Sequence, residues 1–192
     1  SNNTAVGYAS LGANTTGTNN VAMGESALLA NTTANNNIGI GVASLLTVTT
    51  GENNVAVGTS SLRTNTASNN TAVGKDALYA NTTGTQNVAL GSASLDANTT
   101  GNENTAVGYG ALSDNTTAAG NTAVGWYSMN ENTTGYASVA MGLGSLQRQT
   151  TGHENVALGH QSLDSLTTGS LNTAVGRSAG GVMTTGIRNT LI

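Results

Sequence analysis

Apolar and polar positions follow one pattern that repeats along the whole chain. A small residue and then an apolar residue precede a glycine, as in Ala-Val-Gly, and successive glycines of this box are 17 residues apart, with one spacing of 16 between Gly58 and Gly74. The shorter spacing falls in segment 65–70, where a turn absorbs a deletion. A fixed period of this length predicts stacked repeats. The box glycines are Gly7, Gly24, Gly41, Gly58, Gly74, Gly91, Gly108, Gly125, Gly142, Gly159 and Gly176.

Each unit contains a second box, and polar turns separate the two. Ser or Ala stands three residues after the glycine and Leu four residues after it, with Met129 and Gly180 in place of Leu in two units. Because these boxes are short and rich in β-formers, we expect two short strands in each unit. Identical units then stack as an all-β, parallel β-solenoid (a β-roll) of about eleven 17-residue coils. At about 4.8 Å per coil, the rod is roughly 50 Å long.

Both faces of the predicted strands are restricted in composition. Neighbouring side chains of a strand point to opposite faces, yet the residue before each box glycine is always apolar and the residue before that is always small. One face then lines the coil and the other packs on another chain, which predicts a homo-oligomer. The alternative is that small residues only keep the outer face flat.

Charged and aromatic residues occupy a restricted set of positions. A column is defined here as the set of residues that stand at the same distance from the box glycine in each unit. All charged residues, aromatic residues and histidines fall in six columns, at one, two, five, six, eleven and twelve residues after the glycine. These columns are expected to form the solvated rim of the rod. The remaining columns are expected to form its frame.

Composition and charge narrow the classes of partner. The 192 residues include no Cys, and only 7% are charged, against about 25% in ordinary globular domains. Without Cys, disulfides and thiolate metal sites are excluded. The formal net charge of −4 offers no attraction to nucleic acid. No apolar run reaches the roughly 20 residues of a membrane span, so neither a nucleic-acid partner nor membrane insertion is expected.

The sequence offers little for catalysis or metal binding. His153 and His160 are the only histidines and the main candidates for a general base, and both are expected to be rim residues. Asp114 and Glu131 share a column one coil apart and are expected to be solvated charges near Arg148 of the next coil. The repeated Gly-Gly-x-Gly-x-Asp of calcium-binding rolls is missing. We expect no enzymatic activity, no catalytic residues, no metal and no cofactor.

The boxes resemble those of a group of fibrous proteins. The sequence Asn-Thr-Ala-Val-Gly-Tyr-x-Ala-Leu at 104–112, followed by Asn-Thr-Thr, is similar to repeats of phage tail fibres, and the box looks like the repeat in heads of trimeric autotransporter adhesins. The resemblance extends from Asn3 to Ile192, although adhesin-head units are shorter. It implies a left-handed parallel β-roll, three chains packed around a threefold axis, and an extracellular location in a virion tail fibre or on a bacterial cell surface.

Four aromatic residues are candidates for contact with a receptor. Tyr109 and Trp126 share a column in successive coils, Tyr127 follows Trp126, and Tyr136 lies in the following turn. Aromatic rings with polar tips dock sugars or protein surfaces. These residues are therefore candidates for binding a host cell-surface glycan or protein; otherwise they only cover apolar rim surface.

Taken together, these patterns predict a structural fibre segment. We expect residues 1–192 to form a single repeat domain, part of a longer fibre, whose rigid rod supports or takes part in cell-surface attachment. The alternative is an ice-binding (antifreeze) β-solenoid that uses the Thr-Thr pairs, such as Thr82-Thr83. Such surfaces normally use Thr-x-Thr, so the simpler expectation is that Thr hydroxyls and Asn amides satisfy backbone groups along the rod.

Overall fold

The chain folds as a parallel β-solenoid. A computed structural model describes residues 2–192, in which a 12-stranded sheet is ordered β1 to β12 and every strand pairs in parallel with the next. Paired residues are 17 apart, as Ala89 and Ala106 are, and the β4–β5 pairing of Val55 with Thr71 accommodates the one shorter spacing. The predicted fold class and repeat are therefore confirmed. The strands are β1 Thr4–Val6, β2 Val21–Met23, β3 Ile38–Ile40, β4 Val55–Val57, β5 Thr71–Val73, β6 Val88–Leu90, β7 Thr105–Val107, β8 Thr122–Val124, β9 Val139–Met141, β10 Val156–Leu158, β11 Thr173–Val175 and β12 Thr190–Leu191.

The prediction of a second strand in each unit is wrong. The Ser/Ala-Leu box lies in a turn, because residues two and four after the box glycine take left-handed conformations, as in Ala93 and Leu95 with φ of 53° and 51°. The turn directs both residues of the box inward, and Ser94 and Leu95 are both 0% exposed. The restricted composition of these two columns therefore reflects the interior of one coil and not contact with a second chain.

The apolar core is a narrow column of small and medium-sized side chains. The central residue of each strand points inward, and these alanines are fully buried from Ala22 to Ala174. The Leu column is equally buried from Leu28 to Leu163, with Met129 in one coil. Both columns lie inside a single chain, so neither the small residue before the box glycine nor the Leu packs on another chain.

Two buried columns of asparagine link successive coils. In the column that precedes the strands, Asn87 Oδ1 accepts the backbone N–H of Asn104 at 3.0 Å, and its Nδ2 donates to the carbonyl of Gly101 at 2.8 Å. In the column seven residues after the box glycine, Asn98 Nδ2 donates to Asn81 Oδ1 at 2.8 Å. These asparagines are 0% exposed. Each amide thereby satisfies buried polar groups of its neighbours, which confirms the expected role of the Asn side chains.

The box glycine stands at a close approach between two coils. Gly108 has a φ of +132°, and a Cβ added there would lie 2.5 Å from the carbonyl oxygen of Gly125 in the next coil. Gly120 is different, since its φ is +70° and an added Cβ would meet nothing nearer than Ala137 at 3.9 Å. The box glycine is therefore required by both conformation and space.

We expect Gly108→Ala to lower the free energy of unfolding by about 2–4 kcal/mol, because it combines a strained φ with a backbone clash. Gly120→Ala is the matched control and is expected to cost about 1 kcal/mol or less, since Ala137 has a φ of 52° at the same offset in the next coil. Denaturant unfolding at one protein concentration measures both changes. Equal losses in the two variants would contradict this assignment.

We expect Asn98→Val to lower the free energy of unfolding by about 1–3 kcal/mol, because Asn81 Oδ1 loses its buried donor. The backbone accepts valine here, since Val48 occupies the same column. In the coil before Val48, the buried Oδ1 of Asn31 has no hydrogen-bond partner. Thr100→Val, at an exposed position, should change stability by less than about 0.5 kcal/mol. The same unfolding measurement applies, and a neutral Asn98→Val would mean that the amide bonds contribute nothing.

Candidate functional site

Three of the four predicted aromatic residues form one cluster on the rim. Tyr109 and Trp126 each follow a box glycine directly, in successive coils, and their side chains are 48% and 50% exposed. The half-buried ring of Tyr127 lies against both, with its centroid 5.5 Å from that of Tyr109 and 4.2 Å from that of Trp126. Both pairs are in edge contact, which is a favourable arrangement of aromatic rings. These three residues are called the aromatic cluster below.

A glycine in the adjacent coil makes room for the cluster. A Cβ added at Gly110 would lie 2.5 Å from Tyr127 Cε1. Gly110 holds the offset that Ala93 holds one coil earlier, and the backbone is alike in the two, with φ of 61° and 53°. The same column continues as Tyr127 and then Gly144, whose added Cβ would meet only Gln147 and Gln161, at 3.2 Å and 3.6 Å.

The fourth predicted residue, Tyr136, lies apart from the cluster. It precedes strand β9 by three residues, whereas Trp126 follows the end of β8, so the two stand at opposite ends of neighbouring strands. Tyr136 stacks on His153 of the next coil with ring centroids 4.7 Å apart and planes at 2°. His153 also contacts Glu154, with Nδ1 3.3 Å from the carboxylate. The sequence identified all four aromatic residues but missed Gly110, Leu143 and the pairing with His153.

No charged residue stands next to the cluster in its own two columns. In the columns one and two residues after the box glycine, the residues from Ser92 to Gly144 carry no charged side chain, while Lys75 and Asp76 pair with each other one coil before. Leu143, 44% exposed, continues the column of Trp126. Hydrogen bonding to the Tyr109 side chain raises the pKa of the Tyr127 phenol above its usual value.

Two shallow depressions lie elsewhere on the rim. One, of about 390 Å³, is lined by Asp76, Tyr79, Ala93 and Asp96, and burial raises the pKa of the Asp96 carboxyl. Tyr79 accepts a hydrogen bond from Arg63 at 2.8 Å. The other, of about 320 Å³, lies near Gly180, Gly181 and Val182.

The remaining candidates of the sequence lie at the surface. His160 is half-buried, and Asp114, Glu131 and Arg148 are exposed. Within residues 2–192, no three His, Asp or Glu side chains gather as metal ligands would. In the same range, no helix has the length and apolar character of a membrane span.

The Thr-Thr pairs lie in bends, so their two side chains are not constrained to opposite faces of a strand. The first Thr of most pairs bonds the next coil, as Thr82 Oγ1 does in donating to the carbonyl of Thr99 at 3.0 Å. This confirms the expected role of the Thr hydroxyls for the first row. The second Thr, such as Thr83, is exposed, and the row continues in every coil except that of Ala67.

The chain was compared with protein-family models, with curated proteins and with solved structures, and none of these comparisons gives a match. Function is therefore inferred from the sequence pattern and from the geometry of the rod.

Proposed function

We propose that this chain is a non-enzymatic segment of a phage tail fibre or bacterial surface adhesin, in which three copies form a rigid rod that supports cell-surface attachment. One observation carries the proposal, namely the outer face of the sheet, called the strand face below. It consists of the first and third residues of β1–β11. The first is Thr, Val or Ile, and the third is Val, Met, Ile or Leu.

The third-residue column of the strand face is apolar and partly open to solvent in a single chain. It includes Val73, Leu90 and Met141, which are 38%, 37% and 47% exposed. No charged residue interrupts this column from Val6 to Val175. Extended apolar surfaces of this kind mark sites of association. The restricted composition of the outer strand positions is explained if another molecule covers them.

A second copy of the chain is the best match for this face. The strand face repeats once per coil, at about 4.8 Å. Another copy presents the same repeat, so its side chains are in register with the first at every coil along the rod. A partner with any other surface would match only a few coils. The strand face thus supports self-association, while the number three and the extracellular location come from the resemblance to tail-fibre and adhesin-head repeats.

The architecture suits a mechanical role. Stacked coils contact only their neighbours, and each strand of β2–β11 is paired on both sides. Unpaired strand edges are therefore confined to β1 and β12. Extension by stacking gives length without a large core, which matches a composition of 3% aromatic residues.

We expect light scattering to give three times the 19.0 kDa mass of one chain. Leu90→Asp should yield folded single chains, because this side chain is 37% exposed and lies outside the coil. The same substitution at Leu95, five residues on and 0% exposed, should abolish folding, because it buries an unpaired charge. Circular dichroism distinguishes the two outcomes. Single chains in the wild type, or trimers of Leu90→Asp with wild-type stability, would refute the proposal.

Ice binding is a second candidate, favoured by the exposed row of second threonines, which includes Thr83, Thr100 and Thr117. Under the fibre proposal we expect no thermal hysteresis, because the first row is engaged with backbone carbonyls and a single row remains. Measurement of the freezing point against the melting point decides between the two. Clear hysteresis that disappears in a Thr100→Glu, Thr117→Glu double variant would favour ice binding over the fibre.

A further inference from the structure

We infer that the aromatic cluster is a binding site for a neutral sugar, which would be the contact with a cell-surface glycan; this rests on the proposed role in attachment. The chain has one Trp, five Tyr and no Phe. Three of these six residues meet in consecutive coils, and two of them, Tyr109 and Trp126, are about half exposed. Partly open aromatic faces with polar tips pack against the C–H faces of sugar rings, while the tips bond hydroxyls.

The cluster shows a local adaptation and is more than three scattered rings. The ring of Tyr127 lies over Gly110 of the preceding coil. Any side chain at position 110 would clash with this ring. The backbone does not require this glycine, because Ala93 has nearly the same φ at the same offset. Gly110 therefore provides space for the Tyr127 ring, and that ring in turn supports Tyr109 and Trp126.

The surrounding charges indicate the class of sugar. An acidic sugar needs a cation to pair its carboxylate. From Ser92 to Gly144, the two columns that carry the cluster contain no cation, and Lys75, one coil before this stretch, is already paired with Asp76. The site is therefore suited to an uncharged sugar whose hydroxyls bond the phenol groups.

The size of the site favours a sugar over a protein. The exposed column of Tyr109, Trp126 and Leu143 spans two coil steps, or about 10 Å. That length accommodates two or three sugar rings. A protein partner of ordinary affinity buries about 800 Å² on each side, which is more than three side chains provide.

The single tryptophan gives a direct measurement. Wild-type rods are applied to an array of neutral and sialylated oligosaccharides that includes chitotriose, cellotriose and 3′-sialyllactose. The neutral glycans retained are then titrated while the fluorescence of Trp126 is recorded. We expect retention on neutral glycans, a saturable change in fluorescence, and no retention on the sialylated ones beyond what their neutral parts give.

Two glycine variants separate the cluster from the rest of the rim, and both keep the tryptophan. Gly110→Ala displaces the Tyr127 ring and should weaken binding roughly tenfold, the loss of about one aromatic contact. Gly144→Ala, in the same column with a φ of 62°, contacts only flexible glutamines and should leave the affinity unchanged. Trp126→Ala, followed by calorimetry, should abolish binding, and circular dichroism should show an intact sheet in all three variants.

Several results would overturn the inference. These are no retention on any neutral glycan, preference for the sialylated probes, or equal weakening in Gly110→Ala and Gly144→Ala. A further outcome concerns adsorption to cells. If Trp126→Ala abolishes adsorption but free neutral glycans do not compete with adsorption of the wild type, the receptor is a protein and the sugar site is also refuted. Light scattering on the same samples keeps the two proposals apart, because single chains that bind sugar would refute only the trimeric rod, and trimers that bind none would refute only the sugar site.

Discussion

The hydrogen bonds between buried asparagines and the adjacent coils are the interaction on which this architecture depends. An apolar column of Ala and Leu tolerates small displacements along the axis, whereas an amide bond is directional and fails when coils slip. The one shortened unit illustrates this constraint. Its missing residue falls between Asn65 and Asn70, so both asparagine columns continue through the unit. Asn81 Nδ2 donates to Asn65 Oδ1 at 2.7 Å, and the N–H of Asn70 donates to Asn54 Oδ1 at 3.0 Å. A deletion is accommodated where it leaves the buried bonds in register.

One pair of polar exceptions in these columns supports the same view. Ser138 stands where other units have Asn, and its Oγ accepts the N–H of Asn155 at 3.1 Å. Its side chain is too short to fill the position alone. Gln149 stands in the other Asn column and is longer, so that its Oε1 accepts from Asn155 Nδ2 at 2.8 Å while its Nε2 donates to Asn132 at 3.2 Å. The shorter side chain of Ser138 in one asparagine column is compensated by the longer side chain of Gln149 in the other. This pair of exchanges therefore maintains the hydrogen bonds although the residues differ.

The sequence predicted the period and the parallel stacking, because both are direct consequences of spacing. Its rim columns are only part of the exposed surface, since the third strand residues and the second threonines are exposed as well. The prediction failed for the second box, since Ser-Leu between polar turns has the pattern of a strand and leucine disfavours positive φ. That turn exists because the neighbouring coil stabilises it, as when Leu95 donates its N–H to the carbonyl of Ala111 at 3.0 Å, and such contacts are not visible in a single unit. Tyr109, Trp126 and Tyr127 could be grouped from the sequence because they share adjacent columns. The role of Gly110 in making room for Tyr127 was not predicted, although the sequence shows that Gly110, Tyr127 and Gly144 follow one another in the same column.

The repeated and the unrepeated features of this rod suit different kinds of interaction. The strand face is similar in every coil, so it suits an interaction that must extend along the whole length, such as packing against another copy. The aromatic cluster occurs once, so it suits recognition of a small ligand. Trp126 follows Val124 by two residues and therefore stands at the border of the strand face. In the proposed trimer the cluster would line the margin of the interface and occur three times around the rod. Weak binding of single sugars would then be strengthened by simultaneous contact with several glycans on one surface.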